Sequence, residues 1–148
     1  MEEVARLPTL AATRKLGKRL AQSLKAGDVL ALVGDLGAGK TTLVQAIARA
    51  LDVADPGEVV SPTYTLVNEH PTARGALIHI DLYRLTDAES AVALGLVEQL
   101  HRRDAIVLVE WADRFSELIP AHATWVTLRV GQSGERAATL RRSPPSLP

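Results

Sequence analysis

Three apolar runs punctuate this chain, and the polar residues between them fall into helical periods. Val29–Val33 (VLALV), Ala76–Leu82 (ALIHIDL) and Ala105–Val109 (AIVLV) read as strands buried on both faces, the second interrupted by His79. Residues 10–25 put Leu16, Leu20 and Leu24 on one helical stripe, with Arg14, Lys15, Lys18 and Arg19 facing away and Thr9 as N-cap. A second helix carries Leu43, Val44, Ile47, Ala48 and Leu51 on one face. A third opens on the capping box Thr86–Glu89 and aligns Val92, Leu96, Val97 and Leu100, slightly weakened by Gly95. Thr63–Val67 is β-prone after the Ser61-Pro62 break, Pro71–Gly75 reads as a turn, and 112–118 as a short helical segment. Thr124–Val130 and Arg136–Arg141 flank Gly-Gln-Ser-Gly as a hairpin. The alternation predicts an α/β fold, a mixed sheet flanked by helices and finished by a C-terminal β-hairpin. Residues 1–142 form a single domain in this reading, and the Pro-rich 143–148 a disordered tail.

The turn after the first run changes the picture. Residues 34–41 read G-D-L-G-A-G-K-T, a full match to the phosphate-binding pattern G-x-x-x-x-G-K-[ST] between a strand and a helix. Four fixed positions recur by chance in roughly 0.5% of chains this long. In that setting the glycines let main-chain N–H groups turn inward around a polyphosphate. Lys40 reaches the β- and γ-phosphates, and the Thr41 hydroxyl can ligate Mg²⁺. The fold expectation sharpens to a P-loop NTPase-like sheet, and the ligand to a nucleoside triphosphate. No Asn/Thr-Lys-x-Asp segment for guanine is present, which favours ATP over GTP. Thr9 and Leu10 are weak candidates for the base pocket.

Composition narrows the remaining choices. With aromatics at 3% of residues, Leu, Val, Ile and Ala must fill the core. Seventeen basic residues balance seventeen acidic ones, so there is no electrostatic footprint for direct nucleic-acid binding; Arg102-Arg103 and Arg141-Arg142 read as solvated faces or strand ends. The absence of cysteine excludes disulfides, thiolate metal sites and cysteine nucleophiles. The acidic N-terminus lacks a secretory pattern, and no run approaches the roughly 18 apolar residues of a membrane span, so a cytoplasmic protein without membrane attachment is expected. None of the four histidines has zinc-ligand spacing.

A hydrolase of this type needs a carboxylate at the C-terminal end of a core strand to hold Mg²⁺ or its water shell. Two runs end in an acid. Glu110 follows Ile106–Val109 and is assigned to the metal shell; Asp81 follows Leu77–Ile80 and is assigned to orienting water or supporting that shell, with the reverse division open. Trp111 lies at the same strand end, as a packing residue or else a nucleotide-responsive or interface one. Ser61–Thr65 sits where switch loops lie, and Thr63 or Thr65 offers a hydroxyl to the metal or the γ-phosphate, unless the segment is an ordinary Ser-Pro turn. Arg84 could sense phosphate, meet a partner or form a surface ion pair.

Taken in order, G-D-L-G-A-G-K-T-T (34–42), S-P-T-Y-T-L-V (61–67), H-I-D-L-Y-R-L (79–85) and V-E-W-A-D (109–113) resemble the bacterial ATPase family of tRNA threonylcarbamoyladenosine biosynthesis, TsaE, formerly YjeE. The resemblance covers roughly residues 9–130; the hairpin and tail beyond carry no motif. It implies a cytoplasmic, Mg²⁺-dependent ATPase that is weak alone. It also implies support, as a partner of the TsaD–TsaB heterodimer, for the transfer of a threonylcarbamoyl group to adenosine 37 of tRNA, with tRNA met only through that complex. Carried over, Gly37, Ala38, Gly39, Lys40, Thr41 and Thr42 would hold the phosphates, Thr41 and Glu110 the Mg²⁺, Asp81 would serve hydrolysis, and Trp111 would lie beside the nucleotide. No arginine finger is identified within the chain, consistent with slow hydrolysis that a partner stimulates. The competing readings are a small-molecule kinase sharing the phosphate loop, for which Asp52–Thr63 leaves little room for an acceptor site, and an ATP-dependent assembly factor whose hydrolysis is incidental.

Overall fold

A computed structural model describes residues 2–63 and 65–145. Seven strands form one sheet in the order β1-β7-β6-β2-β5-β4-β3. They are β1 (Glu2–Arg6), β2 (Val29–Val33), β3 (Val67–Thr72), β4 (Gly75–Asp81), β5 (Ala105–Glu110), β6 (Thr124–Val130) and β7 (Arg136–Arg141). The inner strands β6, β2, β5 and β4 are mutually parallel, while β3, β7 and β1 pair antiparallel at the edges. The three apolar runs are β2, β4 and β5, and β2 and β5 are buried along their whole length. The architecture is a mixed sheet flanked by helices, as the periodicity predicts.

Alternation along the strands builds two cores. Leu30, Leu32, Leu77, Ile106 and Leu108 face α1 (Leu10–Ser23) and α2 (Lys40–Ala50). Val29, Ala31, Ile78, Ile80, Val107 and Val109 face α3 (Ala88–Ala93) and α4 (Leu96–Leu100). His79 and Asp81 share the parity of Leu77, and Glu110 that of Ile106 and Leu108. All three therefore project toward α2. The two long helices approach closely at Gly17, where an added Cβ would lie 2.5 Å from Ala46 Cβ.

Several local expectations are corrected. β1 has no counterpart in the sequence reading, because its residues are almost all exposed and it exists by pairing with β7. The segment after Ser61-Pro62 does not become a strand until Val67, and Tyr64 within the expected Thr63–Val67 strand lies outside the described residues. Pro71 is in β3 opposite Ala76 rather than in a turn; an edge strand tolerates the missing N–H. The helix expected over 86–100 is two helices, parted at Gly95, whose left-handed φ of 77° breaks the ladder and leaves Val92 exposed. Its cap is Asp87, which accepts from the Ser90 N–H at 2.7 Å, rather than Thr86. Residues Ala112–Leu118 form a 3₁₀ segment kinked at Phe115. Of the tail, Pro145 lines a cavity that residues of the phosphate loop also line, and 146–148 are outside the described residues. Among the described residues no helix is long and apolar enough to cross a membrane.

Candidate active site

The phosphate loop leaves the C-terminal end of β2, between β5 and β6. Register brings the acids to it: Leu32 lies opposite Glu110, and Asp81 opposite Glu110 on the other side. Gly37 and Gly39 take left-handed φ values of 80° and 109°, which lets the loop close into a cradle before α2 begins at Lys40. At Gly34 a side chain would meet the Leu128 carbonyl at 2.7 Å, so the loop can lie this close to β6 only without a Cβ. Ala38 closes a turn by donating its N–H to Asp35 O at 3.0 Å. The N–H groups of the first turn of α2 face the cradle without an intrahelical partner, as every helix N-terminus requires.

Lys40 is nearly buried and its ammonium donates to the Gly34 carbonyl and, at 3.0 Å, to the Asp35 carbonyl. It also lies 3.9 Å above the Trp111 ring. Burial lowers its pKa, while the carboxylates of Glu110, Asp113, Asp81 and Asp35 act in the opposite sense. Such an ammonium, held by neutral carbonyls and a ring face, gains a better partner when an anion enters the cradle.

Thr41 donates its hydroxyl to Glu110 Oε1 at 3.1 Å. Glu110 is 2% exposed, and its other oxygen accepts from His79 Nε2 at 2.5 Å. His79 is fully buried, and its Nδ1 has no hydrogen-bond partner among the described residues. Hydroxyl and carboxylate oxygens converging at the foot of a polyphosphate cradle form a hard-donor set suited to Mg²⁺, so the residues present fit that ion. Asp81 is held differently: Ser61 and Thr63 donate to Oδ2 and the Tyr83 N–H to Oδ1 at 2.8 Å. The Ser61 segment is itself pinned by Gln45, which donates to the Val59 carbonyl at 2.7 Å. Thr65 points elsewhere, to Asn68 at 3.2 Å.

Glu110 and Asp81 thus share one edge but not one set of partners. Trp111 adopts a left-handed φ of 58°, which turns the chain sharply after β5 and sets its ring between Lys40 and Tyr83, whose centroid is 4.7 Å away. A bulky residue in that region marks stored backbone strain at the mouth of the cradle. A cavity of about 470 Å³ is lined by Gly37, Gly39, Lys40, Thr41, Thr42, Asp81, Glu110 and Trp111. Thr9 does not line it; its hydroxyl caps α1 by accepting from the Ala12 N–H at 3.1 Å, and it lines a smaller cavity with Ala38, Gly39 and Thr42.

Three residues at the site escape the sequence reading. His79 appears there only as an interruption of a strand, although its spacing two residues before Asp81 puts it on the same face. Ser61 figures only as part of a polar segment. Arg136, from the region without motifs, donates to the Gly37 carbonyl at 3.3 Å. No local signal announces Arg136, because strand pairing across the sheet brings it there.

The sequence model of the family described as "Threonylcarbamoyl adenosine biosynthesis protein TsaE" matches residues 7–138. A relative from Aquifex aeolicus, tRNA threonylcarbamoyladenosine biosynthesis protein TsaE, is 49% identical over 102 residues, covering 69% of this chain and 71% of that one. The protein of the same name from Mycobacterium bovis is 42% identical over 143 residues, covering 91% and 84%. Among solved structures, the crystal structure of Bacillus subtilis YdiB superposes with a TM-score of 0.75 at 31% identity, over 95% of this chain and 84% of that one. The family match runs through the phosphate loop and both acidic strand ends and stops within β7. The chain belongs to the TsaE family of threonylcarbamoyl adenosine biosynthesis proteins and has its P-loop NTPase-like fold.

Proposed function

We propose that this protein is a Mg²⁺-dependent ATPase whose turnover supports formation of N6-threonylcarbamoyladenosine on tRNA, in the cytoplasm, as a partner of the TsaD–TsaB heterodimer. The observation that carries the reading is the meeting of the Thr41 hydroxyl and the Glu110 carboxylate under a glycine cradle, with Lys40 at its mouth.

In this reading the triphosphate lies in the cradle against the main-chain N–H groups of Gly37 to Thr42, and Lys40 leaves its carbonyl partners for the β- and γ-phosphates. Thr41 and Glu110 would hold Mg²⁺, which when bound neutralises charge on the phosphate oxygens. His79 fixes the rotamer of Glu110 by donating to it. Asp81, fixed by Ser61, Thr63 and the Tyr83 N–H, orients a water at the γ-phosphorus. The water oxygen bonds to that phosphorus as the bond to the bridging oxygen breaks; ADP leaves, one of the water's two protons stays on the inorganic phosphate and the other passes to solvent. Trp111 closes one side of the site and excludes solvent from Lys40. Around the cavity Lys40 and Arg136 are matched by Asp81 and Glu110, with no surplus of positive charge from the side chains, so in this reading a group from the partner completes the charge stabilisation, and hydrolysis is slow without it.

The test is phosphate release from ATP, measured for the protein alone and with the TsaD–TsaB heterodimer, alongside modified-nucleoside formation on tRNA. The reading expects weak release alone, stimulation by the heterodimer, and loss of both release and modification for Glu110→Gln. Stimulation only by an added small-molecule acceptor would establish a kinase instead. Full modification by a variant that binds ATP without hydrolysing it would make the protein an assembly factor.

A further inference from the structure

Three cavities meet at the phosphate loop, and Arg136 lines all three. The one of about 470 Å³ contains the catalytic groups. A second, about 230 Å³, shares Gly39, Thr42 and Arg136 with it and runs the other way, under the start of α1. Its size is below the roughly 300–1,000 Å³ of sites that take a whole drug-sized ligand, so it suits part of one. Its walls include Leu7, Pro8, Leu10 and Leu128, an apolar slot. The largest, about 770 Å³, lies on the outer side of the loop and is lined by none of Lys40, Thr41 or Thr42.

Direction follows from the acids. Asp81 and Glu110 fix the reacting end of a bound polyphosphate, so the nucleoside end must exit past Thr42, into the apolar slot. Arg136 stands at that exit. β7 runs antiparallel to β6, which brings its first residue, rather than its last, to the edge where the phosphate loop lies. From there the guanidinium donates to the Gly37 carbonyl, and its Nη1 lies 3.5 Å from where a Gly39 Cβ would be. It therefore meets the loop at a carbonyl rather than at the inward N–H groups. A guanidinium is planar, remains charged and stacks on aromatic faces while donating at its edge.

We propose that Arg136 is a nucleobase-binding residue: its guanidinium covers one face of the purine in the slot between α1 and β7, while its edge remains bonded to Gly37. This rests on the ATP-binding reading above, and the base and the phosphates can be tested apart.

The experiment is calorimetric titration of Mg-ATP and of Mg-tripolyphosphate, which has the phosphates and no base, into the wild-type protein, Arg136→Gln and Arg136→Lys. Arg136 is exposed, and a thermal melt of each variant confirms the fold. Arg136→Gln is expected to weaken ATP binding about three- to thirtyfold, the range of a cation–π contact, and to leave tripolyphosphate unchanged. Arg136→Lys should stay weakened for ATP, since lysine keeps the charge without the plane. Equal losses for both ligands would make Arg136 a phosphate ligand and overturn the proposal, as would no loss for either. If the wild-type protein bound neither ligand, the ATP reading itself would fail, and this proposal with it.

Discussion

His79 is the residue whose removal separates stability from function. Replacing it with Leu deletes the hydrogen bond to Glu110, and a bond to a charged group contributes about 1.5–3 kcal/mol. The same change removes the buried Nδ1 that has no partner among the described residues, and an orphaned polar atom costs about 1–3 kcal/mol. The two terms largely offset, so unfolding free energy should fall by no more than about 2 kcal/mol or rise by no more than about 1.5 kcal/mol. Function has no such offset. Glu110 would keep only the Thr41 hydroxyl and sample other rotamers, and loss of an outer partner typically reduces metal affinity or activity about 10–100-fold. The assays are urea unfolding and phosphate release over a Mg²⁺ titration, with the heterodimer present. His79→Leu should need more Mg²⁺ and turn over more slowly on a nearly unchanged unfolding curve. His79→Gln, which retains a donor, should recover part of the rate. A His79→Leu protein with wild-type rate and Mg²⁺ dependence would refute the positioning role. One that no longer folds would refute the energy balance.

Further outcomes follow from the packing and from charge. Gly17→Ala gains about 1 kcal/mol of helix propensity but drives a methyl to 2.5 Å from Ala46 Cβ, and overpacking costs about 1–3 kcal/mol, so a net loss of up to about 2 kcal/mol is expected in chemical denaturation. Adding Ala46→Gly should relieve only part of the clash, since the Ala46 backbone carbon would still lie 2.9 Å from the new methyl; a destabilisation equal to the sum of the single changes would show that the two helices do not meet there. His70 holds its proton less tightly in the fold than its ordinary value of 6.5, through burial and then the neighbouring His79. The unfolded chain therefore binds that proton first, and stability should fall as pH drops below 6.5, with His70→Gln flattening part of the slope. An NMR midpoint for His70 at or above 6.5 would contradict this. Thr41→Ala should raise the Mg²⁺ requirement while leaving metal-free nucleotide binding intact, read by calorimetry with and without the ion; equal weakening in both would make the hydroxyl a phosphate donor only.

The parts legible in the sequence are those whose signal is local. Three apolar runs became β2, β4 and β5 because a strand covered on both faces must be apolar throughout. The phosphate loop was legible because its glycines and Lys40 are contiguous. The acids were legible because each terminates such a run, and the structure brings Lys40, Thr41, Asp81, Glu110 and Trp111 to one edge. Where the signal is nonlocal, reading fails. β1 is almost wholly exposed and is specified by its partner β7, not by its own periodicity. By sequence Gly95 is only a small propensity loss, but its left-handed conformation divides a helix. The pairing of His79 with Glu110 depends on the register of β4 against β5, and the reach of Arg136 depends on a hairpin folding back across the sheet.

Whether the glycine cradle holds a nucleotide is decided by calorimetric titration of Mg-ATP into the wild-type protein and into Lys40→Ala. Saturable heat with one site per chain is expected for the wild type, and its disappearance for Lys40→Ala on an intact fold. Equal binding by both proteins, or none by the wild type, would overturn the nucleotide-binding reading.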